Sequence, residues 1–313
     1  MILDIFRGLR KTGVLGMNRR NADYIMRWNP RSSYPIVDNK LLTKELAEKH
    51  QIPTPLLYYV VEHHGSIAGL EEALGGRCEF VVKPARGSGG SGIILVKDCR
   101  AEGLVTQSGE VISRGDFAYH ISEILSGVYS LEGLEDRAIV EALIHPDPVF
   151  AAITYQGVPD VRIVVYRGVP TMAMVRLPTR ASDGKANLHL GAIGAGIELS
   201  SGTTLTAVHR SQIVTHHPDT GNRVEGIQVP FWDRLLIMAA QSLAMTGLGY
   251  VGVDLVLDRE RGPLLLELNA RPGLAIQMAN QKGLRGRLER IDRAAPEIFS
   301  TPESRVAWAK ENL

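Results

Sequence analysis

The chain has 313 residues and is 44% hydrophobic, so it is long enough to bury a sizeable core. Lys and Arg number 35 against 34 Asp and Glu, which excludes the bulk positive field that attracts nucleic acid or an anionic membrane surface. The two cysteines, Cys78 and Cys99, form neither a metal-ligand pattern nor a disulfide framework, which favours a reducing compartment. We find no signal-peptide core and no run of about 18 apolar residues. We therefore expect a cytoplasmic protein without stable membrane insertion.

The N-terminal half alternates between short helices and strands. Residues 1–38 are basic and rich in turns. Asp38 is placed to cap a helix whose Leu42 and Leu46 share one face and which stops at Ile52-Pro53. The pattern then predicts, in chain order, a strand at 56–61, a helix at 67–74, a buried strand at 80–82, a returning strand at 93–96, a helix at 115–130 and a buried strand at 138–144.

The C-terminal half is richer in strands. Its polar stretch from Pro178 to Val229 carries only a predicted turn at 218–221. The other predicted elements are a hairpin of strands at 161–166 and 170–177, a helix from Pro230 to about Thr246, and a second hairpin of strands at 250–258 and 263–270. Helices mixed with antiparallel hairpins predict an α+β fold in two lobes.

A run of small residues follows the buried strand at 80–82. Lys83 comes directly after this strand, and small residues let backbone N–H groups surround phosphate oxygens while a lysine adds positive charge. The order matches neither the Walker motif, whose lysine follows the glycines, nor the dinucleotide fingerprint, which opens a helix. The pattern is typical of a phosphate-binding loop or of a flexible turn. The residues of this glycine loop are Gly87, Ser88, Gly89, Gly90, Ser91 and Gly92.

The last hairpin brings two carboxylates together. If Asp258 pairs with Pro263 across a four-residue loop, Asp254 lies directly opposite Glu267, and Asn269 shares the face of Glu267. Carboxylate and amide oxygens suit Mg²⁺, which takes its remaining ligands from water and phosphates. We predict a metal site at these three residues. The alternatives are that a Lys or Arg neutralises the pair, or that the register slips.

Several polar residues lie in or near the hairpin at 161–177. Arg162 and Arg176 have strongly apolar neighbours, and a partly buried guanidinium group is well satisfied by the carboxylate or phosphate of a substrate. Asp160 is placed to hold Arg162. Asn187 and His189, two residues apart in an extended stretch, can share a face toward the site. Ordinary structural salt bridges and a satisfied histidine are the alternatives.

Taken in this order, the motifs resemble the ATP-grasp superfamily over residues 36–285. The resemblance implies a fold in which ATP is bound between two α+β lobes. It makes Lys40 and Lys83 phosphate ligands, residues 87–92 a lid, and Asp254, Glu267 and Asn269 the metal ligands. The adenine hinge would be Glu141, Ala142, Leu143 and Ile144, where backbone groups and the Glu141 carboxylate read the base edge.

Two groups within the superfamily share further motifs with the chain. Asp160-Val161-Arg162 and the run 176–191 resemble alpha-L-glutamate ligase-like proteins of the ribosomal-protein glutamate ligase type. Residues 215–221 and 229–233 are similar to sugar-transfer-associated ATP-grasp proteins. The resemblance divides the chain into a short N-terminal extension at 1–38, an N-terminal ATP-grasp part at 39–145, a C-terminal lobe with the metal site at 146–290, and a tail at 291–313.

The resemblance also implies a chemistry. It indicates an ATP-dependent carboxylate-amine ligase that uses ATP and Mg²⁺, or Mn²⁺, and in which Lys83, Arg162 and Arg176 are catalytic. Its substrates would be small-molecule or peptide carboxylates and amines, with glutamate among the candidates. Three alternatives stay open: a phosphotransferase, a sugar- or envelope-associated ligase with a non-amino-acid substrate, and a non-catalytic ATP-binding module. A homo-oligomer is also open.

Overall fold

The computed structural model of the chain describes residues 12–87, 89–130 and 133–313. The chain forms two compact units. The small unit contains residues 38–45 and 54–145, and the large unit contains the described part of 1–37 together with 46–53 and 146–313. Across the described residues, every helix is too short or too polar to cross a membrane.

An antiparallel sheet forms the small unit. Its strand order is β1-β6-β2-β3-β4-β5. The strands are β1 Leu57–Val61, β2 Phe80–Pro84, β3 Ile94–Cys99, β4 Leu104–Thr106, β5 Val111–Ile112 and β6 Ala138–Ala142. The strands predicted around the glycine loop are therefore present, and the loop connects β2 to β3.

A second antiparallel sheet forms the large unit, in the order β11-β10-β9-β8-β7-β12-β13. Its strands are β7 Asp160–Tyr166, β8 Val169–Leu177, β9 Ile193–Ile197, β10 Thr204–His209, β11 Gln212–Val214, β12 Tyr250–Asp258 and β13 Gly262–Asn269. Two antiparallel sheets with helices confirm the predicted α+β class.

Three of these strands lie in the polar stretch for which no strand was predicted. In β9 glycines alternate with apolar residues, and glycine weakens the sequence signal of a strand. The structure explains one of these glycines, because a Cβ at Gly196 would lie 2.6 Å from the Ala279 carbonyl oxygen. The missing side chain lets a neighbouring helix approach the sheet.

The α-helices are short. They are α1 Met17–Arg19, α2 Met26–Trp28, α3 Tyr34–Asp38, α4 Lys40–Lys49, α5 Leu70–Leu74, α6 Arg114–Leu125, α7 Trp232–Thr246, α8 Ile276–Asn280, α9 Arg285–Asp292 and α10 Pro302–Asn312. A π-helical turn, Arg20–Ile25, joins α1 to α2. The helix predicted at 115–130 ends early, because the chain turns at Gly127 with φ +81°.

The large sheet is buried on both faces. Ile163 and Val165 of β7 belong to one apolar cluster, and Val164 and Tyr166 belong to another, as the alternation of side chains along a strand requires. A charged side chain on such a strand has little access to water. It must therefore find a partner within the sheet.

Cys78 and Cys99 form a disulfide with Cα atoms 5.1 Å apart. The bond links the residues that flank the β2–β3 hairpin, and the 21-residue separation gives no sign of this in the sequence. The expectation that the two cysteines form no disulfide is therefore wrong, and cysteine usage gives no argument about the redox compartment.

The double variant Cys78→Ser/Cys99→Ser should lower the free energy of unfolding by about 3 kcal/mol, because the bond restricts the unfolded chain. Urea denaturation of the oxidised protein measures this. Wild-type protein treated with a reducing agent is the control and should match the double variant. Two free thiols in unfolded, unreduced wild-type protein would contradict the disulfide.

Candidate active site

Lys83 and Glu141 meet on one face of the small sheet. Across β2 and β6, Val81 lies opposite Glu141 and Lys83 lies opposite Ile139. Lys83 and Glu141 are thus diagonal neighbours whose side chains leave the sheet on the same side. The Lys83 Nζ donates to Glu141 Oε1, and the two side chains are only 5% and 1% exposed. Lys83 therefore carries a buried counterion.

Lys44 joins this cluster, although the sequence reasoning missed it. It lies one helical turn after Lys40 on α4, and this spacing was the available signal. Its Nζ lies 2.8 Å from Glu141 Oε2 and donates to the Pro55 carbonyl at 2.7 Å. Burial lowers the pKa of Lys44, and Glu141 opposes that shift. Burial favours a raised pKa for Glu141, but Lys83 and then Lys44 outweigh it, so this pKa lies below its ordinary value.

The predicted adenine hinge starts in β6 and leaves it. The N–H of Ala142 donates to the Leu56 carbonyl at 2.8 Å, and Leu143 and Ile144 are half-buried. The Glu141 carboxylate contacts the ammonium groups of Lys44 and Lys83. That this carboxylate and the backbone of the following residues read a base edge stays a prediction.

Lys40 is held against the start of the glycine loop. Its Nζ donates to the Gly87 carbonyl at 2.5 Å, and its backbone N–H donates to the Ala85 carbonyl at 2.9 Å. Ser91 is exposed. Ser88, also predicted to bind phosphate, lies outside the described residues. The first predicted phosphate lysine and the predicted phosphate loop are therefore in direct contact.

The other end of the loop contacts α6 and the segment after it. Gly89, Gly90 and Gly92 have φ values of +67°, +82° and +73°, which side chains disfavour. At Gly92 a Cβ would also lie 2.6 Å from the ring of Tyr129. The Nε2 of His120 lies 3.0 Å from the Gly92 carbonyl oxygen. Both ends of the loop thus have specific contacts.

In the large unit, β12 places Asp254 between two charged neighbours. Asp254 lies opposite Arg162 of β7 on one side and opposite Glu267 of β13 on the other. The predicted pairing of the two carboxylates is therefore confirmed. A third neighbour comes from β8, because Arg176 lies opposite Asp160 of β7.

The turn of the β12–β13 hairpin differs from the prediction. Asp258 pairs with Gly262 rather than with Pro263, across three residues instead of four. A bulge between Leu255 and Asp254 shifts the register by one residue and so restores the expected pairing at the site. A glycine at φ +72° is what this tight turn requires.

Two arginines neutralise Asp254. Arg162 donates through Nε to Asp254 Oδ1 at 2.7 Å and through Nη2 to Oδ2 at 2.5 Å. Arg176 donates to Oδ2 at 2.8 Å and holds both oxygens of Asp160 at 2.5 and 2.6 Å. The expectation that Asp160 holds Arg162 is therefore wrong, because the residue directly across a strand pair is nearer than the residue two positions along the same strand.

Burial and charge act in opposite directions on the two aspartates. Burial favours a raised pKa for Asp254, but Arg162 and then Arg176 outweigh it and hold the pKa below its ordinary value. Burial raises the pKa of Asp160 to about 7 against the attraction of Arg176, and the charge of Asp254 adds to the rise. Asp254 is thus the firmly ionised centre of the network.

The predicted metal ligands lie together. The Asn269 Nδ2 donates to Asp254 Oδ2 at 3.1 Å and to Glu267 Oε1 at 3.2 Å. Within the described residues no group of three His, Cys, Asp or Glu could hold a metal ion; the predicted trio is not such a group, because one of its members is an amide. The oxygens of Glu267 and Asn269 nevertheless fit Mg²⁺ or Mn²⁺, which accept oxygen donors and complete their shell from water and phosphate. Both oxygens of Asp254, beside them, accept hydrogen bonds from the two arginines.

Asn187 and His189 do not share an extended stretch. Asn187 precedes the 3₁₀ turn Leu188–Leu190, and its Oδ1 accepts a hydrogen bond from the His189 N–H at 3.0 Å. His189 is exposed. The alternation expected of a strand therefore does not apply to this pair. Among the described residues, no hydrogen bond joins either side chain to Arg162 or Arg176.

A family model described as sugar-transfer associated ATP-grasp matches residues 19–293. A probable alpha-L-glutamate ligase from Aeromonas salmonicida (strain A449) is 25% identical over 251 residues, which are 80% of this chain and 62% of that protein. The chain thus spans less than two thirds of the length of this relative.

Two solved structures are also similar to the chain. The ATP-grasp ligase PsnB, complexed with a minimal precursor, is 14% identical with a TM-score of 0.45, over 84% of this chain and 62% of that one. The L-amino acid ligase from Bacillus licheniformis is 15% identical with a TM-score of 0.43, over 80% of this chain and 44% of that one.

The variant Glu141→Gln should lower the free energy of unfolding by about 3–5 kcal/mol, because it leaves two buried lysines without their counterion. Chemical denaturation measures the change. Glu62→Gln is the matched control, since Glu62 pairs with Arg137 on the surface of the same unit with both side chains 56% exposed, and it should change stability by less than about 0.5 kcal/mol. Equal effects of the two substitutions would refute the role given to Glu141.

Proposed function

This chain belongs to the sugar-transfer-associated ATP-grasp family, and on that premise we propose that it is an ATP-dependent ligase that joins a carboxylate to an amine. The observation that carries the proposal is the charged network on the four adjacent strands β8, β7, β12 and β13, where Arg162 and Arg176 meet Asp254 beside Glu267 and Asn269. Such a network of buried charges costs stability. A binding module without turnover has no need for it.

The small unit supplies the phosphate-binding groups in this proposal. Lys40 and Lys83 bind phosphate oxygens, and the glycine loop covers them with backbone N–H groups. Lys44 keeps Glu141 neutralised when Lys83 turns toward a phosphate, because the carboxylate already contacts both ammonium groups. The backbone of Leu143 and Ile144 reads the adenine.

The large unit supplies the reacting centre. Arg162 and Arg176 hold the substrate carboxylate or the transferred phosphoryl group, as forked donors do well. Asp254, Glu267 and Asn269 would form the site for Mg²⁺ or Mn²⁺, and the ion would neutralise charge on the phosphates. Asp160 keeps Arg176 oriented through its two hydrogen bonds.

The reaction has two steps in this proposal. A carboxylate oxygen of the substrate attacks the γ-phosphorus of ATP, ADP leaves, and an acyl phosphate forms. The nitrogen of the amine then attacks the acyl carbon, phosphate leaves, and the amine loses a proton. Positioning and charge stabilisation supply most of the catalysis, so the arginines and metal ligands matter more than a general base.

The class of substrate follows from similarity and stays part of the proposal. Small-molecule or peptide carboxylates and amines, with glutamate as one candidate, fit an acid-amino-acid ligase. The family description favours a second candidate, a sugar- or envelope-associated ligase with a non-amino-acid substrate. Because the chemistry consumes ATP, we place the protein in the cytoplasm.

Replacing Glu267 by Gln should reduce ATP-dependent phosphate release at least about 100-fold, because it replaces a negatively charged carboxylate ligand of the cation by a neutral amide. The fold should persist, since Glu267 is only half-buried. Glu260→Gln, at the exposed tip of the same hairpin, is the control and should retain wild-type activity. Full ATP turnover by the Glu267 variant would refute the metal assignment.

Hydroxylamine should intercept the acyl phosphate when the purified protein, Mg²⁺ and ATP are incubated with a panel of amino-acid and sugar carboxylates. We expect a hydroxamate with equal amounts of ADP and phosphate, detected by mass spectrometry. A stable phosphorylated substrate would instead support a phosphotransferase, and tight ATP binding without any turnover would support a non-catalytic module.

A further inference from the structure

Residues 15–29 are built into the large unit. The Leu15 N–H donates to Gln277 Oε1 at 2.8 Å, and Gln277 Nε2 donates back to the Leu15 carbonyl at 3.1 Å. The Gly249 N–H donates to the Trp28 carbonyl at 2.9 Å. Residues 15–29 thus contact the region where β12 begins and the region that follows β13.

Asn29 joins these two regions with one side chain. Its Oδ1 accepts from the Tyr250 N–H at 2.8 Å, and its Nδ2 donates to the Tyr250 carbonyl at 2.7 Å and to the Ala270 carbonyl at 3.3 Å. Tyr250 is the first residue of β12, and Ala270 directly follows Asn269, the last residue of β13. Asn29 is 5% exposed, so water does not replace these bonds readily.

Arg20 holds the next part of the same segment. Its Nη1 donates to the Pro272 carbonyl at 2.8 Å, and it is 8% exposed. Pro272 packs on β12 so closely that a Cβ at Gly252 would lie 2.7 Å from the Pro272 Cβ. Gly252 is the residue opposite Asn269. The backbone around Asn269 is therefore fixed by two buried side chains and by one close packing contact.

We propose that Asn29 and Arg20 are positioning residues for the cation held by Glu267 and Asn269. The inference rests on the proposed function, because it gives these two residues a role only if the trio binds a metal. Neither residue touches the metal in this account. They set the backbone position from which Asn269, one residue before the carbonyl that Asn29 binds, presents its amide.

The physical reason is that a small oxygen-ligated cation tolerates little error in ligand position. Removing a group that orients a metal ligand without contacting the metal typically lowers metal affinity about 10–100-fold. Asn29 is placed for such an effect, because its amide fixes the start of the strand that carries Asp254 and the end of the strand that carries Glu267 and Asn269. The N-terminal segment is then part of the active centre's support.

The chain offers a matched control for ordinary structural damage. Asn280 is also 5% exposed, and its Nδ2 donates to the carbonyls of Ala173 and Ile276 at 2.9 Å each. It belongs to the same unit as Asn29. Its partners lie on β8 and within α8, so replacing it removes comparable buried hydrogen bonds without loosening the end of β13.

The test is direct Mn²⁺ binding, measured by electron paramagnetic resonance of free Mn²⁺ with a non-hydrolysable ATP analogue present. Asn29→Ala and Arg20→Gln should each raise the Kd for Mn²⁺ at least about 10-fold. Asn280→Ala should leave it within about twofold of wild type. Thermal unfolding without metal reports the structural cost of each substitution.

The outcomes separate this inference from the function on which it rests. Wild-type affinity in both Asn29→Ala and Arg20→Gln overturns the positioning role, and so does an equal loss of affinity in Asn280→Ala. If Asn29→Ala fails to fold, Arg20→Gln decides alone by the same criterion. Wild-type protein that binds no Mn²⁺ with the nucleotide analogue overturns the proposed function and this inference together.

Discussion

The neutralisation of Asp254 by Arg162 and Arg176 is the constraint on which the candidate site depends. Asp254 has no exposed surface, and a carboxylate in such a place is costly unless cations and hydrogen bonds satisfy it. Both arginines lie on neighbouring strands of the same sheet. The contacts among the charged residues therefore depend on the register of β8, β7 and β12, because a slip of one residue would turn the side chains of a strand to the other face.

The alternative to the metal prediction was that a Lys or Arg neutralises the carboxylate pair, and two arginines do neutralise Asp254. Glu267 and Asn269 lie beside it and remain the predicted metal ligands. The pairing of Asp254 with Glu267 could be predicted from side-chain alternation along two strands, even though the turn was placed one residue too far along. The guanidinium partners depend on the order of strands in the sheet, with β7 beside β12. A single sequence does not contain that order, so the choice of Asp160 as the partner of Arg162 was wrong.

Most helices and strands could be predicted from local sequence patterns. Most of the features that were not predicted depend on contacts between residues far apart in the chain. The helix and strand periodicities around Lys83 and the hairpin at 161–177 were sufficient to place those elements. Strand β9 was missed because its glycines weaken the strand signal, and one of them, Gly196, makes room for the helix around Ala279, which comes much later in the chain. The contacts of Asn29 and the disulfide of Cys78 likewise join residues whose spacing carries no local signal.

The proposed chemistry requires that the side chains of Asp254, Glu267 and Asn269 on β12 and β13 form a cation site. The most direct measurement is a crystal structure with Mn²⁺ and a non-hydrolysable ATP analogue, in which anomalous scattering locates the metal. We predict a peak about 2 Å from side-chain oxygens of Glu267 and Asn269. A nucleotide-bound crystal whose manganese lies elsewhere, with Glu267 and Asn269 still bonded only to protein, would contradict the account.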